Sequence, residues 1–401
     1  MSGRIKNIDV YNISEKSTEK SSPWSSTMII VRITTDDGLT GYGEAPTTLM
    51  TLPVLESVKE VMRSFVGKDV HNINSNVLDF YRNSFYLSRS MEATSALSAV
   101  EIASWDVVGK MLGAPIYELL GGKVREEVRA YSNGWYSDCV TPEDFISKAK
   151  IQKGKGFDAI KFDPFGNSFD VIGKESLEHA ESVVRSLREE FGDSMDLLIE
   201  FHGRFSFDAA RRACERLDPY DCLFFEEPLH PELEMRLPEL RSRITTPIAL
   251  GERVLNARDF MRNMVEGKVD IIQGDLTNSR GIMESFRIAS IADAWGLPVA
   301  FHNAFGPIQT TATLNLDVSI NNFLIQESFE ESWPKWKRNL VKSGYTLNGG
   351  RFKLDGKPGL GIEIDQASLD SHQVEGMEPF DPESPPWVVS GTYIGEDNGS
   401  K

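Results

Sequence analysis

Cysteine is scarce in this 401-residue chain. Cys139, Cys214 and Cys222 are the only three, and no CxxC pair occurs. So sparse and odd a set argues against a disulfide framework and for a reducing compartment. Basic charge is also short: 43 Lys and Arg face 60 Asp and Glu, a formal net charge of −17. That balance excludes a general nucleic-acid binder, which needs a basic footprint. It leaves room for a small acidic substrate, because a metal or an arginine reverses the field inside a cleft. No run of 18 apolar residues occurs, and MSGRIKNIDV at the start has no apolar core of signal-peptide length. The expectation is a soluble cytoplasmic protein with neither nucleic acid nor membrane as partner. Phosphate-loop glycines are missing too. GYGEAP from Gly41 is not GxGxxG, and LGGK at 120–123 lacks the GxxxxGK[ST] frame.

What is present is enough apolar residue, 40%, for a large interior, in a chain long enough for two domains. The first ~125 residues read as α+β. IKNIDVYNI and TMIIVRITTDDGLTGYGEA give strands, with a hairpin turn at Asp37-Gly38. A long helix then runs over 93–112, with Ala96, Ala99, Ala103 and Gly109 as its small residues, and stops near Gly113-Ala114-Pro115. Beyond Val128 eight short apolar runs recur: VRAYSN, FDAIKF, MDLLIEFH, CLFFEE, PIALGE, VDIIQGD, LPVAFHN and FLIQES. Helical patterns separate most of them, which fits a closed β/α barrel better than a doubly wound sheet. The last segment, rich in turn formers at DGKPGLG and DPESPP, leaves this rhythm, and Trp387-Val388-Val389 suggests that part of it packs.

In such a barrel the C-terminal strand ends face the active site. Read in order, those ends carry Lys161 and Asp163, Glu200 and His202, Glu226 and Glu227, Glu252, Asp275, His302 and Glu327. Glu226 follows Glu200 by 26 residues and Glu252 follows Glu226 by 26, the length of one βα unit, so the three carboxylates are expected at equal heights on neighbouring strands. Like charges this close would repel and raise one another's pKa, and a hard divalent cation removes the problem: Mg²⁺, with Mn²⁺ as the alternative. Asp275 beside His302 would fix the imidazole tautomer and make it a base. His202 shares a face with Glu200 by strand alternation. Lys161 would bind a carboxylate or a developing negative charge, or else pair with Asp163 or another acid. His71, His179, His230 and His372 are assigned no chemistry. A metal, a base, a second histidine and a lysine suit proton abstraction beside a carboxylate, followed by loss of a β-hydroxyl.

The anchors DDGLTGYGEA, SALSAVEIASWDVVGKMLGAPIYELLGG, AIKFDPFG, EFHGRFS, FFEEP, ALGER, IIQGDLTNSRGI, FHNAFGPI, LIQES and PGLGIEID run over nearly the whole chain. Through them the sequence resembles the enolase superfamily, in its mandelate racemase/muconate lactonizing enzyme branch, and within that the gluconate and galactonate dehydratases. The resemblance implies an α/β fold: a modified TIM barrel, (β/α)₇β, over residues 128–334. An α+β cap over 1–127 would be completed by the returning segment 335–401. Loops near 14–26 and 44–52 would close over the substrate. It implies Glu200, Glu226 and Glu252 as Mg²⁺ ligands, His302 with Asp275 as the base at C2, and His202 as the acid at the C3 hydroxyl. Lys161 and Glu327 would assist at the enediolate. The activity implied is that of a hydro-lyase acting on D-gluconate and D-galactonate and giving a 2-keto-3-deoxy sugar acid, in a homo-oligomer, dimer or octamer. Competing readings are the same chemistry on D-xylonate, L-arabinonate, L-fuconate or D-arabinonate, a racemase or cycloisomerase, and a non-enzymatic barrel with a structural metal. Two positions depart from the family pattern. Glu200 stands where many relatives have aspartate, and Lys161-Phe162-Asp163 lacks the second lysine of the racemases' KxK, which disfavours two-base racemisation.

Overall fold

The structure, a computed structural model, describes residues 3–14, 27–46 and 51–375. Trp387-Val388-Val389, and most of the two loops expected to close over the substrate, lie outside the described residues. Three antiparallel strands open the chain: β1 (Ile5–Ser14), β2 (Thr27–Thr35) and β3 (Thr40–Ala45), in the order β1-β2-β3. The β2–β3 turn falls at Asp37-Gly38, with Gly38 at φ 87°. This sheet lies on helix α1 (Met91–Leu112), which Ser90 caps by accepting the Ala93 N–H and Gly113 ends at φ 67°. The GYGE glycines explain the close approach. A Cβ on Gly41 would sit 2.4 Å from the Ala103 carbonyl oxygen, and one on Gly43 1.9 Å from that of Ala99. These glycines serve packing of backbone on backbone, in keeping with the absence of a phosphate-loop frame.

The second part is a barrel. Strands β4 (Val128–Ser132), β5 (Ala159–Phe162), β6 (Asp196–Glu200), β7 (Phe224–Glu226), β8 (Ile248–Leu250) and β9 (Ile271–Ile272) pair in parallel in chain order. The expected seventh strand pairs only through Val299, which bridges to Ile272 on one side and Phe323 on the other. The eighth, β10 (Gln326–Ser328), pairs with β4 and closes the ring. A helix follows each of the first seven strand positions and leads to the next; the one after the seventh is α2 (Pro307–Asp317). This is the (β/α)₇β arrangement. The C-terminal segment adds the hairpin β11 (Tyr345–Asn348) and β12 (Arg351–Leu354) against β4. It then reaches the first sheet, where Gln373 bridges Ile13.

One layer of the barrel interior takes a residue from each strand position: Tyr131, Ala159, Leu198, Phe224, Ala249, Ile271, Ala300 and Ile325. Large and small alternate around part of the ring and fill the lumen, so the barrel is a packed core. Side chains along a strand alternate between faces. Two residues further toward the C-terminal ends, the same inward rows read Asn133, Lys161, Glu200, Glu226, Gly251, Gln273, His302 and Glu327. A polar layer thus sits directly on an apolar one, and there the site begins.

Candidate active site

Lys161 is the hub of the polar layer. It is 1% exposed, and its ammonium lies 2.7 Å from both Glu226 carboxylate oxygens, 2.8 Å from Glu327 and 3.1 Å from Glu200. Burial alone would lower the lysine pKa, but Glu226, Glu327 and Glu200 outweigh it and hold the pKa well above the ordinary value. Of the pairings open to Lys161 in the sequence, the one with Asp163 is not formed. Glu327 also accepts from the Asn133 amide and the Asn303 N–H, each at 2.8 Å. Burial would raise its pKa, yet Lys161 and His302 bring it down to about 2. Glu226 goes the other way. Burial, reinforced by the facing Glu200, pushes it up to about 8 even though Lys161 opposes the shift.

Two histidine–aspartate pairs stand above this layer. His302 Nδ1 is 2.7 Å from Asp275, and its Nε2 is 3.3 Å from Glu252. Burial disfavours the imidazolium, but Glu252, Glu327 and Asp275 outweigh burial and raise the His302 pKa well above the usual range. His202 Nδ1 is 2.7 Å from Asp163, which also receives Arg204 at 2.5 Å and the Phe165 N–H at 2.9 Å. Burial would raise the Asp163 pKa, and Arg204 and His202 reverse this and lower it. Each histidine takes its aspartate from the preceding strand. The two histidines belong to the third and seventh positions of a ring of eight, so they face each other across the mouth.

Strand alternation does not explain the His202 orientation. β6 ends at Glu200, and His202 has φ 53°, so a turn aims the imidazole at Asp163 while the Glu200 carboxylate accepts the His202 N–H at 2.7 Å. Glu227, the other acid of the EEP run, turns away at φ 43° and pairs with Arg253 at 2.6 Å. The equal-height expectation holds for two carboxylates only. Glu200 and Glu226 are direct register partners, but Glu226 pairs with Ala249, three residues before Glu252. Glu252 lies beyond the end of β8, past Gly251, and reaches the site from a loop.

Among the described residues, no three His, Cys, Asp or Glu side chains are arranged around one point as metal ligands. The donor chemistry nevertheless fits a hard divalent cation. Glu200 and Glu226 are buried side by side, both with raised pKa, burial being the largest cause, and one ammonium shared with Glu327 does not neutralise them. The Gln273 amide donates to Glu226 at 2.7 Å, and its own oxygen is buried without a partner. Residues the sequence reading passed over are Asn133, Arg204, Gln273 and Gln309. The inward rows would have found Asn133 and Gln273; Arg204 and Gln309 carry no signal short of the fold.

Comparison with known proteins gives two family matches along the chain. Residues 13–121 match the mandelate racemase / muconate lactonizing enzyme N-terminal domain, and residues 144–368 match the enolase C-terminal domain-like family. A Picrophilus torridus protein named D-gluconate/D-galactonate dehydratase is 56% identical over 389 residues, covering 97% of this chain and 99% of its own. The D-gluconate dehydratase of Thermoproteus tenax is 41% identical over 97% of this chain and 78% of its own. Among solved structures, a putative mandelate racemase/muconate lactonizing enzyme from Burkholderia SAR-1 superposes with a TM-score of 0.88 at 28% identity, covering 99% of both chains.

Proposed function

The chain belongs to the mandelate racemase/muconate lactonizing enzyme branch of the enolase superfamily, and from that premise we propose how its strand ends work. It is a sugar-acid dehydratase, a hydro-lyase; the substrates proposed are D-gluconate and D-galactonate. Enzymes of this superfamily use a divalent metal; here the reading is Mg²⁺, with Glu200, Glu226 and Glu252 as the residues that would hold it. When bound, the cation would neutralise the substrate carboxylate and the second negative charge that forms beside it.

The observation that carries the assignment of roles is the facing pair of dyads. His302, with Nδ1 held by Asp275, is the base for the C2 proton. Its Nε2 lies 3.3 Å from Glu252, and with that carboxylate engaged in holding the cation the imidazole would be left neutral, with Nε2 turned to C2. The C2–H electrons pass into the carboxylate, giving an enediolate at which Lys161 supplies the positive charge and Glu327 assists by holding the ammonium at 2.8 Å. Lys161 offers a fixed positive charge there, prepaid by burial among carboxylates. Across the mouth, His202 is held through Nδ1 by Asp163 and presents Nε2 to the C3 hydroxyl. As the enediolate collapses, the C3–O bond breaks and the oxygen leaves as water with the proton His202 gives it. The enol then tautomerises to the 2-keto-3-deoxy acid. The lone lysine on the second strand supports one-sided abstraction, since Asp163 stands in the second KxK place and is taken up by His202 and Arg204. The same reading makes the protein a cytoplasmic homo-oligomer, dimer or octamer. Among the described residues no helix is long and apolar enough to cross a membrane.

The test is a panel of sugar acids with Mg²⁺ and a colour reaction for 2-keto-3-deoxy product. Turnover of D-gluconate and D-galactonate is expected above D-xylonate, L-arabinonate, L-fuconate and D-arabinonate. No turnover across the panel would refute the reading.

A further inference from the structure

Asp275 is fully buried, and its carboxylate is saturated. One oxygen accepts from the Thr277 N–H at 2.7 Å and the Thr277 hydroxyl at 2.5 Å. The other accepts from His302 Nδ1 at 2.7 Å and from the Gln309 side-chain amide at 3.0 Å. An ionised carboxylate offers about four lone-pair positions. Three are therefore taken by fixed neutral donors, and the plane of the group is set so that the fourth points at the imidazole.

Gln309 is held with equal completeness. It lies in the first turn of α2 and is 0% exposed. Its side-chain oxygen accepts the Phe305 N–H at 2.9 Å, which leaves only the amide nitrogen to face Asp275; a flipped amide would set oxygen against carboxylate. Its backbone N–H donates to Glu44 at 3.0 Å. Glu44 belongs to β3, in the N-terminal sheet, and is buried near Lys337 of the C-terminal segment, the cation that most lowers its pKa against the larger effect of burial. Gly306, ahead of α2, has no side chain because a Cβ there would sit 2.3 Å from the Glu44 carboxylate. Glu44, Gln309, Asp275 and His302 thus form one continuous run of hydrogen bonds from the cap to the imidazole.

We propose that Gln309 is a positioning residue for the His302–Asp275 dyad, and that through Glu44 it ties the aim of the base to the seating of the N-terminal sheet. The proposal rests on the dehydratase reading for its kinetic test. Gln309→Leu removes the amide donor at nearly constant volume. The expected result with D-gluconate is a kcat about 10- to 100-fold lower, the scale of a small misplacement of a reacting group, with KM within about twofold of wild type. The isotope effect with substrate deuterated at C2 should rise above the wild-type value, because proton removal alone is slowed. Glu44→Gln keeps an acceptor for the Gln309 N–H and should leave that isotope effect unchanged. If Gln309→Leu folds poorly, Gln309→Asn carries the same expectation, since its amide is one methylene too short to span Phe305 and Asp275. Wild-type kcat in the variant, or a loss of kcat with an unchanged isotope effect, overturns the proposal. A wild type that neither dehydrates nor exchanges any sugar-acid C2 proton sinks the dehydratase reading instead. The positioning claim is then read from the ¹⁵N and N–H shifts of the His302 ring, and shifts in Gln309→Leu identical to wild type overturn it.

Discussion

Asp163→Asn separates the two histidines most sharply. Asp163 is 0% exposed and holds three donors: His202 Nδ1, Arg204 and the Phe165 N–H. The asparagine oxygen can still accept from Phe165 or Arg204, but its NH₂ meets the imidazole as a donor and removes the preference for Nδ1–H. A general acid held in the right tautomer contributes on the order of 10²–10⁴ in rate, so dehydration should fall by about that factor. Proton abstraction by His302, across the mouth, does not depend on Asp163. Exchange of the C2 proton in D₂O should therefore survive within about threefold, an allowance on the scale of a lost hydrogen bond. The substitution also strands Arg204, itself 2% exposed. Leaving one partner of a buried ion pair costs about 3–5 kcal/mol, and the retained acceptor should hold the loss to the lower end. Asp163→Asn/Arg204→Met removes the stranded charge and should recover much of that stability in denaturant titrations without recovering dehydration. The assays are product formation, NMR exchange at C2 and unfolding. Equal loss of exchange and dehydration would show that Asp163 acts on the whole site, and dehydration at the wild-type rate would refute the acid role of His202.

The opposite pattern is expected for His302→Asn, with both C2 exchange and dehydration lost by at least ~10²-fold; exchange retained at the wild-type rate would mean that another group is the base. Chelation of divalent metal should abolish turnover, and Mg²⁺ should restore it; unchanged activity in a metal-free preparation would remove the metal from the reading. Glu101, buried in α1, accepts from the Ile282 and Met283 N–H groups and from Trp105, yet burial outweighs these donors and raises its pKa to about 7. A carboxyl with a raised folded-state pKa binds its proton more tightly when folded, so its contribution is most favourable below the unfolded value of 4.5 and is lost as pH rises through about 7. The difference is on the order of 3 kcal/mol at most. Glu101→Gln should flatten the fall in unfolding free energy between those limits, and an unchanged pH slope in urea titrations would contradict the assignment.

Much of the site was legible because a strand is periodic. Lys161, Glu200, Glu226, His302 and Glu327 each end an apolar run, and each stands two residues beyond a side chain of the barrel's inner layer. Alternation along one strand is a local property, so it can be read without knowing the neighbours. The alternation of apolar runs with helical patterns pointed to a barrel for the same reason.

What the chain alone could not determine is register and aim. The two intervals of 26 residues look identical in the sequence, but only Glu200 and Glu226 pair across strands, and Glu252 arrives from past Gly251. His202 meets Asp163 because the backbone passes through φ 53° after the strand has ended, and no alternation rule covers that turn. Arg204 and Gln309 join the two dyads across 41 and 34 residues of chain. Local sequence specifies which residues can face inward. Which of them touch depends on how neighbouring strands slide and where loops turn back, and the packing of the whole barrel against its cap decides both.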